Sequence, residues 1–181
     1  MISSERRHRK FLQVVMGCFC CHIFKVRAHR SPISTQRGFF YGITTMHTKA
    51  HFERAVMEAV AMVLREMVEA TEAMGISVQE IRSLSGGAKS PVWCQIKADV
   101  TKRRIVTMKN TEDAACLGAA FLAGTAMGIW PSVKDAARVS VTEAKVYEPQ
   151  MENSRIYDEV YKEYKRLTKV MHTVFQRVDA K

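Results

Sequence analysis

The sequence predicts an α/β fold, and three features of its pattern support that prediction. Amphipathic helical stripes alternate with short apolar runs of strand length. A pair of glycines joins one of these strands to the next helix. The chain has 181 residues, enough for one domain with a hydrophobic core.

The first long helix is predicted from Thr48 to Gly75. Apolar residues recur there at i, i+3, i+4 and i+7, beginning at Phe52. Thr48 is suited to cap the start of this helix, and Gly75 is suited to end it. A short strand over 79–84, the glycine turn and a helix from Pro91 to about Val100 follow.

The second half of the chain continues the alternation. Residues 104–108 predict a strand, and Thr111 is expected to cap a helix that is rich in alanine and glycine. Small side chains would let that helix pack closely against a neighbour. An edge strand is predicted to end at Pro149, and residues 154–178 form the final amphipathic helix.

The net charge of +10 is concentrated in the first 35 residues, which carry seven Lys and Arg side chains against Glu5 alone. The later residues mix both signs, as a solvated surface does, so we expect no nucleic-acid partner. The apolar run from Phe11 to Phe24 is too short to predict a membrane span, so we expect no membrane partner. We divide the chain into a basic, cysteine-containing leader, 1–35, disordered or unrelated to the rest, and a domain, 36–181.

Of the five cysteines, only two belong to the domain, which indicates a reduced, cytoplasmic protein rather than a disulfide framework. Cys94 and Cys116 belong to the domain, each within a helical apolar pattern. Residues 18–22 match the C-x-x-C-H pattern of haem attachment. That pattern lies inside an apolar run without cytochrome-like surroundings, so we expect neither haem nor zinc there.

The segment SGGAKSP, residues 85–91, predicts an anion-binding turn. Glycine allows close approach and positive φ, while Ser90 and Pro91 form an N-cap and first helical residue. A helix N-terminus of this kind favours a phosphate. Neither the P-loop pattern nor G-x-G-x-x-G is present, which excludes those two nucleotide-binding classes. A purely structural turn remains the alternative at this point.

Three ordered blocks of the sequence resemble the FGGY family of carbohydrate kinases. They are GFFYGITTMHTKAHFERAVME (38–58), SGGAKSPVWCQIKADV (85–100) and EDAACLGAAFLAGTAMGIW (112–130). The second resembles the family's adenosine-binding segment, and the match covers roughly residues 36–175. Among the members of the family, the xylulokinase-like sugar kinases resemble these three blocks most. One departure is Ser85, where the family often has a third glycine.

The resemblance implies part of an actin-like, ribonuclease H-like ATPase fold, namely its C-terminal nucleotide-binding domain. It also implies transfer of the γ-phosphoryl group of ATP to a sugar hydroxyl, with Mg²⁺. Six residues would then line the nucleotide: Gly86, Gly87, Ala88, Lys89, Ser90 and Pro91.

The family's Asp-Gly-Thr phosphate loop and catalytic aspartate have no counterpart before Gly38. We therefore expect a C-terminal piece of a kinase, without a catalytic base and inactive alone, that meets sugar only if the N-terminal domain is supplied. Asp99 and Asp113 look structural, and we assign no catalytic or metal-binding residue.

Three alternatives remain open. The chain could be one subunit of a split kinase, or a non-catalytic interaction or nucleotide-binding module. It could also be a membrane-tethered or nucleic-acid-binding protein led by its basic segment, 1–35. The surface where the missing domain would pack, here called the cut face, would favour a second copy or a partner chain.

Overall fold

The computed structural model describes residues 38–109 and 113–179, together with the short strand Phe19–Cys21. The described strands are β1 (Phe19–Cys21), β2 (Phe39–Tyr41), β3 (Glu80–Ser83), β4 (Arg104–Met108) and β5 (Glu143–Tyr147). The helices are α1 (Lys49–Ala73), α2 (Pro91–Thr101), α3 (Ala114–Ala126), α4 (Val133–Ser140) and α5 (Met151–Asp179). This mixture of helix and sheet confirms the predicted α/β class.

Strand β4 is the centre of a three-stranded sheet. It runs parallel to β3, with Ile81 opposite Ile105, and antiparallel to β5, with Val106 opposite Val146. Residues 91–101 of α2 lie in the connection between the two parallel strands, as such a crossover requires. Strand β5 lies at the edge of this sheet, as the sequence predicted.

Helix α2 lies between the sheet and a layer formed by α1 and α5. Cys94 and Ala98 face the sheet and pack on Ile105, and all three are fully buried. The opposite side of α2 packs into the main core cluster. Its buried members are Ala61, Met62, Ile96, Val100, Tyr157, Tyr161, Tyr164 and Leu167.

Three tyrosine hydroxyls of α5 reach across this core to glutamates of α1. Tyr157 donates to Glu58 at 2.8 Å, and Tyr161 donates to Glu69 at 2.9 Å. The third hydroxyl, of Tyr164, lies 3.4 Å from an oxygen of Glu66. The hydroxyls of these three buried tyrosines are thus paired, as a stable core requires.

Strand β1 pairs antiparallel with β2 and lies beside α1 and α5. It belongs to the segment 1–35, which the sequence interpretation separated from the domain. These three residues are therefore joined to the domain by strand pairing, whereas the boundary at residue 35 otherwise stays a prediction. The C-x-x-C-H motif, apart from the backbone of β1, lies outside the described residues.

Helix α3 differs from its prediction in two ways. It begins at Ala114 with Asp113 at the N-cap, while the expected cap, Thr111, lies outside the described residues. Most of its small residues are exposed rather than pressed against a neighbour; among its residues only Phe121 and Gly124 are buried. None of the described helices combines the length and apolar character needed to cross a membrane.

Candidate nucleotide site

The candidate site is the turn between β3 and α2. After Ser83 the chain passes through an extended Leu84 into a single 3-10 turn, Ser85–Ala88. The amide of Lys89 closes the turn by donating to the carbonyl of Gly86 at 3.2 Å. The strand, tight turn and helix predicted from sequence are therefore all present in the expected order.

Ser90 caps α2 as predicted. Its hydroxyl accepts a hydrogen bond from the amide of Trp93 at 3.3 Å, and Pro91 occupies the start of the helix. Such a cap and a proline at the first position are typical of stable helix N-termini. The positive end of the α2 dipole therefore lies directly after the glycine turn.

The two glycines do not have the left-handed backbone that the sequence suggested. Neither Gly86 nor Gly87 has a positive φ; the left-handed residue is Ser85, with φ 57°. A Cβ added to Gly86 would meet nothing within 4 Å. Glycine at this position therefore leaves space outside the turn, and it relieves no backbone strain.

Gly87 faces inward. A Cβ there would lie 3.4 Å from Nζ of Lys97 and 3.6 Å from the indole of Trp93. These are ordinary contacts, so an alanine would fit, but a branched side chain would meet both neighbours. Variants at Gly86 therefore probe the outer surface of the turn, whereas larger variants at Gly87 also disturb its packing.

Lys97, Cys94 and Trp93 form the floor of the turn. Lys97 Nζ donates to the carbonyl of Gly87 at 3.0 Å and to the hydroxyl of Ser83 at 2.7 Å. The Cys94 thiol lies 3.6 Å from the Gly87 carbonyl oxygen and 3.7 Å from that of Ala88. The last carbonyls of the turn are thus satisfied by side chains of α2.

Burial controls the charges of this floor. It raises the pKa of the Cys94 thiol, so the group stays a protonated donor at neutral pH, although the nearby Lys97 opposes the shift. Burial also lowers the pKa of Lys97. Lys89, by contrast, is exposed at the end of the turn.

The sequence analysis did not find this floor. Cys94 was placed within a helical apolar pattern, and neither Trp93 nor Lys97 was given a role. The available signal was the spacing of 93, 94 and 97, which places three chemically distinct side chains on one side of a helix that starts at the turn.

Asp99 has a structural role, as the sequence predicted. One carboxylate oxygen accepts from the amide of Gln150 at 2.8 Å, immediately before α5, and the other from the side chain of Asn153 at 2.9 Å. Its carbonyl accepts from the hydroxyl of Ser154 at 2.8 Å. Asp99 therefore caps the N-terminus of α5. Asp113 is exposed and its side chain makes no cap hydrogen bond.

Among the residues with described side chains, no group of three or more His, Cys, Asp or Glu residues could hold a metal ion. The region offers backbone and helix-terminus groups suited to an anion. The fold and the turn together define an α/β domain in which a glycine turn leads from a strand into a capped helix N-terminus.

Comparison with known proteins gives the family. The model of the C-terminal domain of the FGGY family of carbohydrate kinases matches residues 23–127. The chain belongs to this family, which confirms the resemblance carried by the three sequence blocks. The match begins inside the segment 1–35 and includes the turn and α2.

Two curated relatives illustrate the likeness in sequence. A xylulose kinase of Staphylococcus epidermidis is 34% identical over 133 residues, which is 74% of this chain and 27% of the relative. A glycerol kinase of Deinococcus radiodurans is 41% identical over 116 residues, 64% of this chain and 23% of the relative. The chain thus spans about a quarter of the length of these relatives.

Solved structures show the same fold. The xylulose kinase of Rhodospirillum rubrum has a TM-score of 0.78 at 24% identity, covering 97% of this chain and 35% of that one. The glycerol kinase of Plasmodium falciparum, solved with ADP, has a TM-score of 0.65 at 24% identity, covering 97% of this chain and 33% of that one.

Proposed function

We propose that this chain is the nucleotide-binding part of an ATP-dependent carbohydrate kinase, in which the turn and the start of α2 contact ATP. The observation that carries the proposal is the open space outside Gly86, next to a capped helix N-terminus, within a matched FGGY domain. The contacts proposed are backbone atoms of Gly86, Gly87 and Ala88, with Lys89, Ser90 and Pro91 beside the phosphates.

The reaction proposed for the whole kinase is transfer of the γ-phosphoryl group to an alcohol of a sugar or polyol. The relatives named xylulose kinase and glycerol kinase support this class of acceptor. Phosphoryl transfer needs positioning and charge stabilisation around the transferred group, together with a base near the attacking hydroxyl. We propose that this chain supplies no such base, because Asp99 is committed to α5. Mg²⁺ would accompany the nucleotide phosphates, and the setting would be cytoplasmic.

The proposal is tested by NMR titration of the amide signals with ATP. Shift changes should centre on residues 85–93. The two halves of a cleft are expected to share the nucleotide, so affinity of this chain should be no better than about millimolar, roughly −4 kcal/mol. The Gly86→Val protein should fold normally and lose the shifts, because the new side chain occupies the space outside the turn.

Gly118→Ala is the control. A Cβ added at Gly118 also meets nothing within 4 Å, but this glycine lies in α3 and not in the turn. It should bind ATP as the unmodified chain does. Shifts that avoid residues 85–93, or normal binding by Gly86→Val, would remove the nucleotide proposal. Sugar-dependent ATP turnover by the chain alone in a coupled assay would remove the proposal that it lacks a base.

A second candidate is an interaction module, favoured by the exposed apolar residues at the end of α3. Leu122 is 64% exposed, Ile129 68% and Met127 79%. We propose that this region belongs to the cut face and meets the rest of a kinase, a second copy or a partner chain. Sedimentation equilibrium across a concentration series tests self-association, with Leu122→Glu expected to shift any oligomer towards monomer.

A further inference from the structure

Lys97 is a buried cation without an acidic partner among the described residues. Only 8% of the residue is exposed, and no carboxylate of the described side chains forms an ion pair with it. A buried ammonium group is costly unless hydrogen bonds or charges compensate it. Its compensation here comes from a hydroxyl, a carbonyl and the face of Trp93, whose ring centroid lies 4.9 Å from Nζ.

The carbonyl that Lys97 holds is one the turn cannot satisfy by itself. The last carbonyls of a short helical turn have no partner within the turn and need one from outside. For Gly87, that partner is Nζ of Lys97, supported by the Cys94 thiol. Trp93, beneath the same glycine, is itself fixed to α1 by its indole N–H, which donates to the carbonyl of Met57 at 3.1 Å.

We propose that Lys97 is a positioning residue of the nucleotide site, which holds the Gly87 carbonyl inward and so sets the shape and polarity of the turn's outer surface. The inference rests on the proposed function of the turn. Without the lysine, this part-buried carbonyl would lack a strong donor, and its peptide should rotate towards solvent, where water supplies one. A carbonyl turned outward would present partial negative charge to the phosphates of ATP.

Lys97 positions the Gly87 carbonyl through its hydrogen bonds, and its positive charge is not required for this effect. Burial lowers the pKa of the amine, which agrees with a group held for its donors in a poorly solvated position. An uncharged donor of similar length should therefore replace part of its function. An unbranched apolar side chain without donors should replace none of it.

The experiment compares three variants by amide NMR and ATP titration. Lys97→Met keeps the unbranched stem and removes the donors, Lys97→Gln keeps donors without charge on a side chain one atom shorter than lysine, and Lys162→Met removes a surface lysine as control. Lys162 lies on α5, where it pairs with Glu159 and its side chain is 72% exposed. Thermal unfolding confirms that each variant is folded.

We expect Lys97→Met to move the amide signals of residues 86–88 before any ATP is added and to weaken ATP binding at least fivefold. Lys97→Gln should regain a substantial part of the affinity, and Lys162→Met should stay within twofold of the unmodified chain. Unchanged turn signals and affinity in Lys97→Met would overturn the inference. So would a Lys97→Gln protein no better than Lys97→Met, because the charge alone would then be responsible.

Two further outcomes keep the test decisive. If the unmodified chain binds no ATP, the proposed function fails and this inference falls with it; if it binds and Lys97→Met binds equally, only the inference falls. If Lys97→Met does not fold, Ser83→Ala removes the other group that holds Nζ. Its turn signals should move and its ATP affinity should fall at least twofold, and no change in either would overturn the inference.

Discussion

The indole of Trp130 lies against the α-carbon of Gly124, so closely that a Cβ added there would overlap the six-membered ring. Trp130 also meets Phe121 edge to face, with ring centroids 6.0 Å apart. This contact fixes the turn after α3 to the helix itself. Gly118, in the same helix, has no neighbour within 4 Å of an added Cβ.

Gly124→Ala should therefore destabilise the domain, whereas Gly118→Ala should not. The first variant forces Trp130 out of place, for which overpacking typically costs about 1–3 kcal/mol. The second gains helix propensity, up to about 1 kcal/mol, without a clash. Urea unfolding followed by circular dichroism measures both. Equal stability of the two variants would contradict the packing described here.

The two aspartates near the site should differ in the same way. Asp99→Ala removes the acceptor that caps α5, so we expect a loss of about 0.5–2 kcal/mol in unfolding free energy. Asp113→Ala removes an exposed side chain without a cap hydrogen bond and should change stability by less than about 0.5 kcal/mol. Chemical denaturation of both proteins checks this, and a neutral Asp99→Ala would refute the capping role.

Ser85 has the left-handed conformation that glycine adopts without steric cost. Ser85→Gly should therefore stabilise the domain by up to about 1 kcal/mol, since a side chain in that conformation costs about 1–2 kcal/mol and added flexibility of the unfolded chain returns part of it. Ser85→Ala is the control and should bring no gain. Thermal unfolding that ranks alanine above glycine would show that the turn has another conformation.

The cysteines of the domain should differ in reactivity. Cys94 is buried, and burial raises the pKa of its thiol, so little thiolate forms at pH 8. Cys116 is exposed on α3. Alkylation by iodoacetamide, read residue by residue in a mass spectrometer, should be at least about tenfold slower at Cys94. Comparable rates at the two sites would mean that the floor of the turn opens readily.

Stability in acid should depend on Glu72. A hydrogen bond from Arg103, at 2.6 Å, holds the pKa of this carboxyl below its ordinary value. The stabilisation is therefore present above the ordinary carboxyl pKa and is lost as the pH falls through the lower folded value. Glu72→Gln should flatten this part of the stability profile and leave the neutral-to-basic part parallel to that of the unmodified chain.

Glu53→Gln is the matched control for Glu72→Gln, since Glu53 is another glutamate of α1, in a looser surface pair with Lys49 at 3.6 Å. Its acid profile should follow that of the unmodified chain more closely. Stability curves from urea unfolding at a series of pH values provide the comparison. An acid limb of Glu72→Gln that matches the unmodified chain would contradict the role given to the Arg103 hydrogen bond.

Local signals were sufficient to predict most of the elements. The apolar stripe and flanking Thr48 and Gly75 predicted α1, and the Ser90–Pro91 pair predicted the start of α2, because caps and periodicity depend on nearby residues. Helix α4 was missed although Ser132 caps it, accepting from the amide of Asp135 at 3.2 Å. Its eight residues are too few to show a convincing stripe.

The position of the candidate site was predictable from the sequence, but its backbone conformation and side-chain contacts were not. The sequence located the turn because glycines and a capped helix start are local features. It could not show that Ser85, rather than a glycine, has positive φ, nor that Lys97 lies beneath Gly87. Both depend on how α2 packs against the end of β3. The pairing of β1 with β2 was missed because it too is non-local: it joins Phe19 to Tyr41, Cys20 to Phe40 and Cys21 to Phe39.

The three tyrosine–glutamate pairs between α1 and α5 have a mechanical consequence. Sliding one helix past the other by a single turn, about 5.4 Å, would break the three pairs as they stand and take the acceptors away from buried tyrosine hydroxyls. A purely apolar contact would resist such sliding far less, because one methyl group can replace another. The two longest of the described helices should therefore move together as one rigid unit, and any bending of the domain should occur elsewhere.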